Sequence, residues 1–253
     1  MEKFYRNKEW LAGKYTDEKL SIPQISDLCK SGLRTIHKYL VRYNIPRRSY
    51  AESVHLKKGN HCKLNKNDIN WIQGELLGDG SLGSRCNYSA CVNYSSKYSE
   101  YIDYISNKLK EFGVKQSGKI LKRVGGFKSF IYRYTSLNYE ELKPLREKWY
   151  PYPKEKKIVP KDIELTPVTV RQWFIGDGCL LKAKSYPQIV FCTENFPTYD
   201  VEFLISKLKE IGIESTRWLS SNRLHIMSCS IKDFYSYIGS CPVECYKYKW
   251  RAA

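Results

Sequence analysis

The chain has 253 residues with 43 Lys and Arg against 26 Asp and Glu, a formal charge of +17, and 42% of its residues are hydrophobic. Six Trp, 21 Tyr and nine Phe supply enough apolar surface to offset the entropy of ordering, which excludes a disordered chain. No run approaches the roughly 18 apolar residues of a membrane span, and MEKFYRNKEW lacks the apolar segment of a secretion signal. The expectation is an intracellular protein, in cytoplasm, nucleoid or organelle matrix, with no membrane partner.

Nine cysteines, an odd number without CxxC spacing, read as reduced and mostly buried thiols rather than a zinc site. The charge is spread as +7 over residues 1–60, +7 over 61–168 and +3 over 169–253. Excess positive charge of this size points to a polyanion, because each neutralised phosphate releases a condensed counterion.

From the N-terminus, Trp10, Leu11, Ile25, Leu28, Leu33, Ile36, Leu40 and Ile45 fall at spacings that predict three short amphipathic helices over residues 1–46. Ser21 and Pro23 start the second and Ser31-Gly32 turns into the third, giving a helix-turn-helix whose last helix exposes Arg34, Thr35, His37 and Lys38 as candidate DNA contacts. Residues 47–66 are basic and lack periodicity, so they read as a linker in which Arg47 and Arg48 could follow a phosphate backbone.

The remainder is duplicated. WIQGELLGDGSL (71–82) matches VRQWFIGDGCLL (170–181) with the GDG triplets 98 positions apart, DYISNKLKEFGV (103–114) matches EFLISKLKEIGI (202–213) at 99, and YTSLNYEEL (134–142) matches SCSIKDFYS (228–236) at 94. Three matches in one order predict two copies of a fold unit, residues 67–165 and 166–253. Each copy reads as helix, strands, helix, strands, helix, with Gly113 and Gly212 as helix C-caps and hairpins around Gly125-Gly126 and Ser221-Asn222. These hairpins carry Lys119, Lys122, Arg123, Lys128 and Arg133 in the first copy and Arg217 and Arg223 in the second. Lys182 and Lys184 follow the second GDG, and a basic two-stranded ribbon fits the DNA major groove.

Each GDG closes a helix, the first starting near Asn67 or Asp68 and the second at Thr166-Pro167. Asp79 and Asp177 then stand at the negative end of a helix dipole, where a carboxylate is disfavoured by up to about 1 kcal/mol. Gly74, Gly78 and Gly176 allow two helix backbones to touch. Side by side, the helices would bring both carboxylates to one end, an arrangement that calls for a divalent cation.

Paired helices of the form GxxxGDG and GDG about a hundred residues apart resemble the LAGLIDADG homing endonucleases over residues 67–250. KKIVP (156–160), LTPVTVRQWFIGDG (165–178) and CYKYKW (245–250) are similar to the branch that contains the yeast mitochondrial omega-intron endonuclease. The resemblance implies an α+β fold, a pseudo-twofold duplicated αββαββα unit with an antiparallel DNA-binding saddle, preceded here by the all-α helix-turn-helix module. It also implies a monomer that cuts both strands of double-stranded DNA with Mg²⁺ or Mn²⁺. Asp79 and Asp177 would bind the metal, the carbonyls of Gly78 and Gly176 would add ligands, and Lys157 and Lys247 would assist catalysis.

The second copy departs from the family at Gln172, where a small residue is expected, and Trp173 and Phe174 follow, so the helix crossing should be looser or asymmetric there. With no N-terminal Cys or Ser and no C-terminal His-Asn, the chain reads as free-standing rather than an intein. An RNA maturase or a nonenzymatic DNA-binding regulator on the same scaffold are the competing readings. Four unclustered histidines and the absence of GxxxxGK[ST] argue against His-metal nuclease and P-loop chemistries.

Overall fold

A computed structural model describes residues 3–86, 88–124, 130–151, 156–182 and 187–251, apart from the side chains of Ala51, His55, Lys57, Lys58, Arg85, Cys86 and Lys182. It divides into two compact units, residues 1–60 and 61–253. No helix among the described residues is long and apolar enough to cross a membrane.

The first unit is helical. A 3₁₀ turn at Phe4–Arg6 leads into α1 (Lys8–Ala12), a π-helical turn (Gly13–Asp17), α2 (Ile22–Leu28), α3 (Leu33–Arg42) and α4 (Tyr50–Lys58). Ser21 and Gln24 form a reciprocal capping box at the start of α2, with Pro23 in its first turn, which satisfies the free amides there. Leu11, Ile25, Ile36 and Leu40 are fully buried with Tyr5, Tyr15 and Ile45 around them. Leu28 and Leu33, expected in this core, are instead 57% and 52% exposed, because they flank the turn between α2 and α3 rather than the faces that meet. Residues 50–58, expected within a linker, form α4: the Ser49 amide donates to Glu52 Oε2 at 2.6 Å and the Glu52 amide to Ser49 Oγ at 3.2 Å. That capping box starts a helix which apolar periodicity does not announce.

The second unit repeats one order of elements twice. The first copy runs α5 (Lys66–Leu77), β1 (Ser81–Cys86), β2 (Ser89–Ser96), α6 (Ser99–Glu111), β3 (Leu121–Val124), β4 (Phe130–Thr135) and α7 (Lys143–Trp149). The second runs α8 (Pro167–Asp177), β5 (Gly178–Lys182), β6 (Pro187–Phe191), α9 (Thr198–Glu210), β7 (Ser215–Trp218), β8 (Arg223–Ile226) and α10 (Ile231–Ile238), ending in a 3₁₀ helix at Glu244–Trp250. Among the described residues the strands form two four-stranded antiparallel sheets, ordered β1-β2-β4-β3 and β5-β6-β8-β7. This is the duplicated αββαββα architecture expected from the repeat. Gly113 and Gly212 close α6 and α9 with φ of +80° and +79°, a conformation in which a Cβ is strained.

One hydrophobic core runs through both copies. Trp71, Leu76, Tyr94, Tyr101, Tyr134 and Trp149 fill the first, and Trp173, Phe174, Phe191, Leu204 and Phe234 fill the second. Residues 125–129, including the first hairpin tip and Lys128, and residues 183–186, including Lys184, lie outside the described residues.

Candidate active site

The site is built on α5 and α8, which start differently and end together. Asn65 caps α5 through a capping box with Asp68, while Thr166 caps α8 and Pro167 occupies its first turn. Toward their C-terminal ends the backbones touch. A Cβ on Gly176 would lie 3.0 Å from Gly78 Cα, and a Cβ on Gly78 3.1 Å from Gly176 Cα. A side chain at either position would crowd the other helix, and the glycine contact brings Asp79, just beyond α5, next to Asp177, the last residue of α8.

The crossing is asymmetric, and the physical reason lies one turn earlier. Gly74 and Gln172 occupy equivalent places in the two copies and face each other: a Cβ on Gly74 would fall 2.8 Å from Gln172 Cβ. The glycine makes room for the glutamine, which is fully buried and donates through Nε2 to Glu75 Oε1 at 2.5 Å. Tyr101 O–H donates to the same oxygen at 2.8 Å, whereas Glu75 Oε2 is buried without a hydrogen-bond partner among the described residues.

Burial pushes the Glu75 carboxyl up to about 8 from 4.5, the nearby charge of Asp79 adds to the rise, and hydrogen bonds from Gln172 and Tyr101 partly offset it. The folded state therefore holds a proton that the unfolded chain releases, so this group's contribution to stability declines as pH rises from about 4.5 toward 8. Glu75→Gln should remove that dependence, worth up to about 1.4 kcal/mol per pH unit inside the window. Thermal melts at pH 5 and pH 8 check it: the variant should gain on the wild type as pH rises, and parallel shifts of both proteins would refute it.

Asp79 reaches solvent and Asp177 is half-buried. Loss of hydration among the surrounding residues still raises both carboxyls, with Lys249 and Lys157 opposing the rise. Asp177 is raised further by the charge of Asp79. Two raised carboxyls, one of them raised partly by the charge of the other, mark a place that added positive charge would favour.

A lysine stands under each helix end. Lys157 Nζ donates to the carbonyls of Gly78 at 2.9 Å and Gly80 at 3.3 Å. Lys249 Nζ donates to those of Phe174 at 3.2 Å, Ile175 at 2.6 Å and Gly176 at 3.4 Å. Each ammonium meets carbonyls at or just beyond the negative end of a helix. Burial lowers both lysines, and the two aspartates pull them back up.

Lys247, the lysine expected here from sequence, lies elsewhere: its side chain is 58% exposed and pairs with Glu244. The cause is the 3₁₀ geometry of Glu244–Trp250, in which residues three apart share a side. Tyr246 and Lys249 point inward, and Lys247 shares the outer side with Glu244. Glu75 and Lys249 are site residues to which the sequence reading gave no role, and Gln172 entered it only as a departure from the family. The three-residue spacing of Tyr246 and Lys249 is the signal that could have found the lysine.

The donor set suits a hard cation. Mg²⁺ is commonly held by one or two carboxylates with water and substrate phosphate completing the shell, and the chain offers two carboxylates beside the Gly78 and Gly176 carbonyls. Those two carbonyls are engaged by Lys157 and Lys249, so Asp79 and Asp177 are the available charged ligands. No group of three or more His, Cys, Asp or Glu suited to a metal occurs among the described residues.

Strand alternation sorts the basic residues. In β3 and β4, Arg123 and Arg133 join Leu121, Asn93 and Thr135 around a trough of ≈ 430 Å³ on the face away from the helices. Lys122 lies on the other face, with its ammonium 4.0 Å from the Phe130 ring centre and 5.8 Å from that of Tyr132. Lys119 is exposed just before β3.

In the second sheet Arg217 is paired in register with buried Leu224 and bridges to Glu202 of α9 at 3.4 Å, so it too faces the helices. Arg223 is on the opposite face and pairs with Glu194. In the N-terminal unit Arg34, His37 and Lys38 are exposed, Thr35 is half-buried, and Arg47 Nη1 lies 2.9 Å from His37 Nε2. Arg48 is turned inward. It donates to the carbonyls of Lys19 at 3.0 Å, Tyr15 at 2.8 Å and Leu20 at 2.5 Å, and lies over the Tyr15 ring at 4.0 Å.

The model of the LAGLIDADG DNA endonuclease family matches residues 69–234. The chain belongs to this family. Its LAGLIDADG unit is similar to the solved structure of the homing endonuclease I-WcaI bound to its DNA recognition sequence, with a TM-score of 0.64 and 18% identity over 81% of this chain and 95% of that one. An uncharacterised protein of Methanocaldococcus jannaschii is 28% identical over 78% of this chain and 75% of its own length. The cytochrome b mRNA maturase bI2 of Saccharomyces cerevisiae is 25% identical over 71% of this chain, which spans 44% of the maturase.

Proposed function

We propose that the protein is a monomeric, site-specific homing endonuclease that cuts both strands of a long asymmetric DNA site in a divalent-metal-dependent hydrolysis. The observation that carries this is the pair of carboxylates, Asp79 and Asp177, at two touching helix ends, each end backed by a lysine that contacts its carbonyls. The family match and the DNA-bound fold neighbour support it.

Mg²⁺ or Mn²⁺ held by Asp79 and Asp177 would supply an acidified water and stabilise the leaving 3′ oxygen. The chain's own residues do the rest. The glycine contact at Gly78 and Gly176 fixes the distance between the carboxylates, and Lys157 and Lys249 offset charge that builds on phosphorus. Arg123 and Arg133 hold the duplex over the first sheet, and Arg34 and Lys38 of α3 extend contact along it. Arg48 and Arg217, committed to carbonyls and to Glu202, serve the fold in this scheme.

The testing experiment incubates the full chain with a plasmid library of candidate sites, with Mg²⁺ and then with EDTA, and sequences the ends. Metal-dependent linear product is expected. Lys249→Met should slow cleavage by about 10²-fold or more while Lys247→Met leaves it unchanged, and the reverse ranking would refute the assignment. Binding titrations over a range of salt should show Arg133→Ala reducing the salt slope by about 1 and Lys122→Ala leaving it unaltered.

The maturase relative supports a second reading, in which the basic face holds intron RNA. Tighter binding to structured intron RNA than to duplex, without cleavage of either, would favour it.

A further inference from the structure

The second copy carries a thiol pair that the cleavage scheme does not use. Cys179 Sγ and Cys192 Sγ lie 4.0 Å apart, both half-buried and both free thiols. Cys179 pairs in register with Val190, on the face of the sheet away from the helices, and Cys192 follows the end of β6 with the same parity. The expectation of mostly buried thiols fails at this point: of the eight cysteines with described side chains, only Cys62 and Cys91 are buried.

The pair is tied to the second carboxylate through the backbone at both ends. Cys179 is two residues beyond Asp177, and the Cys192 amide donates to the Asp177 carbonyl at 2.9 Å. Between them Gly178 has no slack toward the helix, since a Cβ there would fall 2.1 Å from the Phe174 ring and 2.4 Å from its carbonyl. The first copy holds no such pair at the equivalent positions. Ser81 pairs with Asn93 as Cys179 pairs with Val190, so the equivalent positions are Ser81 and Ser95, which cannot be cross-linked by oxidation.

We propose that Cys179 and Cys192 are a reversible oxidation site whose disulfide disables the Asp177 side of the active site and leaves the Asp79 side working. The inference rests on the endonuclease reading for its effect, though not for the chemistry of the thiols. A peroxide is the oxidant. One sulfur attacks a peroxide oxygen and breaks the O–O bond, becoming a sulfenic acid as the first water forms. The second sulfur then attacks the first, the S–O bond breaks, and a second water leaves with the remaining thiol proton. Two thiols thus give two electrons to one peroxide, and a thiol reductant returns them.

Closing the sulfurs from 4.0 Å to a bond of about 2.05 Å draws β5 and the end of β6 together beside Asp177. A shift of about 1 Å at a reacting group is enough to cost about 10² in rate. The loss falls on one half, so oxidation converts a double-strand cutter into an enzyme that nicks.

The test treats the full-length protein with hydrogen peroxide, blocks remaining thiols with iodoacetamide, and maps tryptic peptides; Lys182 and Lys184 separate the two cysteines in sequence. A linked Cys179–Cys192 peptide, lost with dithiothreitol, is expected. On supercoiled target plasmid the oxidised protein should accumulate nicked circles, with linear product slowed about 10²-fold. Reduction should restore linear product, and Cys192→Ser should show no change between peroxide and dithiothreitol.

Both cysteines recovered alkylated after peroxide would overturn the proposal, as would a complete disulfide that leaves the rate of linear product unaltered. If the reduced protein cuts no DNA, the endonuclease reading fails, while the peptide map still decides whether the pair forms.

Discussion

Asp79→Asn should lower double-strand cleavage of target plasmid by about 10³-fold or more, with the fold intact and duplex binding equal to or tighter than wild type. Asparagine keeps the shape and one oxygen but removes the charge. At an exposed side chain just beyond a helix end the exchange keeps the packing and removes only a charge that offsets the burial of Lys157 and Lys249, so melting should change by about 1 kcal/mol or less. In the proposed mechanism that charge would hold the metal at the reacting phosphate, where a single electrostatic contact is worth about 10² to 10³.

Binding should move the other way, since on the proposed reading a negative group beside the DNA phosphates is removed. The neighbouring acid also responds: Asp177 is held up partly by the charge of Asp79, so its carboxyl should titrate lower in the variant. Asp177→Asn should be as damaging to double-strand cleavage. Plasmid assays in Mg²⁺, with binding measured in EDTA, separate the two effects. Full activity in Asp79→Asn would reduce the aspartate to a turn-former and leave a DNA-binding protein without nuclease chemistry.

The duplicated fold and the two aspartates could be seen in the sequence because a repeat converts a weak triplet into a paired one. GDG alone forms many turns, but GDG at 71–82 and 170–181, with matching helices behind each, fixes two equivalent helix ends. The lysine of the second copy was hidden by local geometry. Lys247 and Lys249 are chemically alike, and only the three-residue period of the last 3₁₀ helix turns Lys249 inward.

Face assignments in the sheets were hidden for a related reason. Exposed strands such as β3, Leu121-Lys122-Arg123-Val124, put one basic and one apolar side chain on each face, so Lys122 against the Phe130 and Tyr132 rings looks no different in sequence from Arg123. Helix α4 lay hidden behind periodicity, although its Ser49 and Glu52 capping pair was present. Gln172 looked like a departure from a small-residue rule. Its explanation requires the partner helix, because Gly74 opposite supplies the missing space.

Gly74→Val tests that packing and should destabilise the LAGLIDADG unit. The new Cβ would sit 2.5 Å from the Thr169 carbonyl oxygen, 2.8 Å from Gln172 Cβ and 3.0 Å from Thr169 Cα. Two of these are backbone atoms of α8, so no side-chain rotation relieves the clash and the helices must separate. Overpacking of this kind costs about 1 to 3 kcal/mol, or roughly 2 to 4 °C of melting temperature per kcal/mol at this size. Gln172→Gly added to it should recover little, because the Thr169 contacts persist. Separation at Gly74 also spreads the contact between Gly78 and Gly176 one turn on, so the surviving folded protein should cut about 10² more slowly, the cost of an ångström at the carboxylates. Calorimetric melts and plasmid cleavage at a temperature well below the transition measure the two effects independently. A melting temperature within about 1 °C of wild type would mean that the helices can part freely, and that the glycine contacts do not set the distance between Asp79 and Asp177.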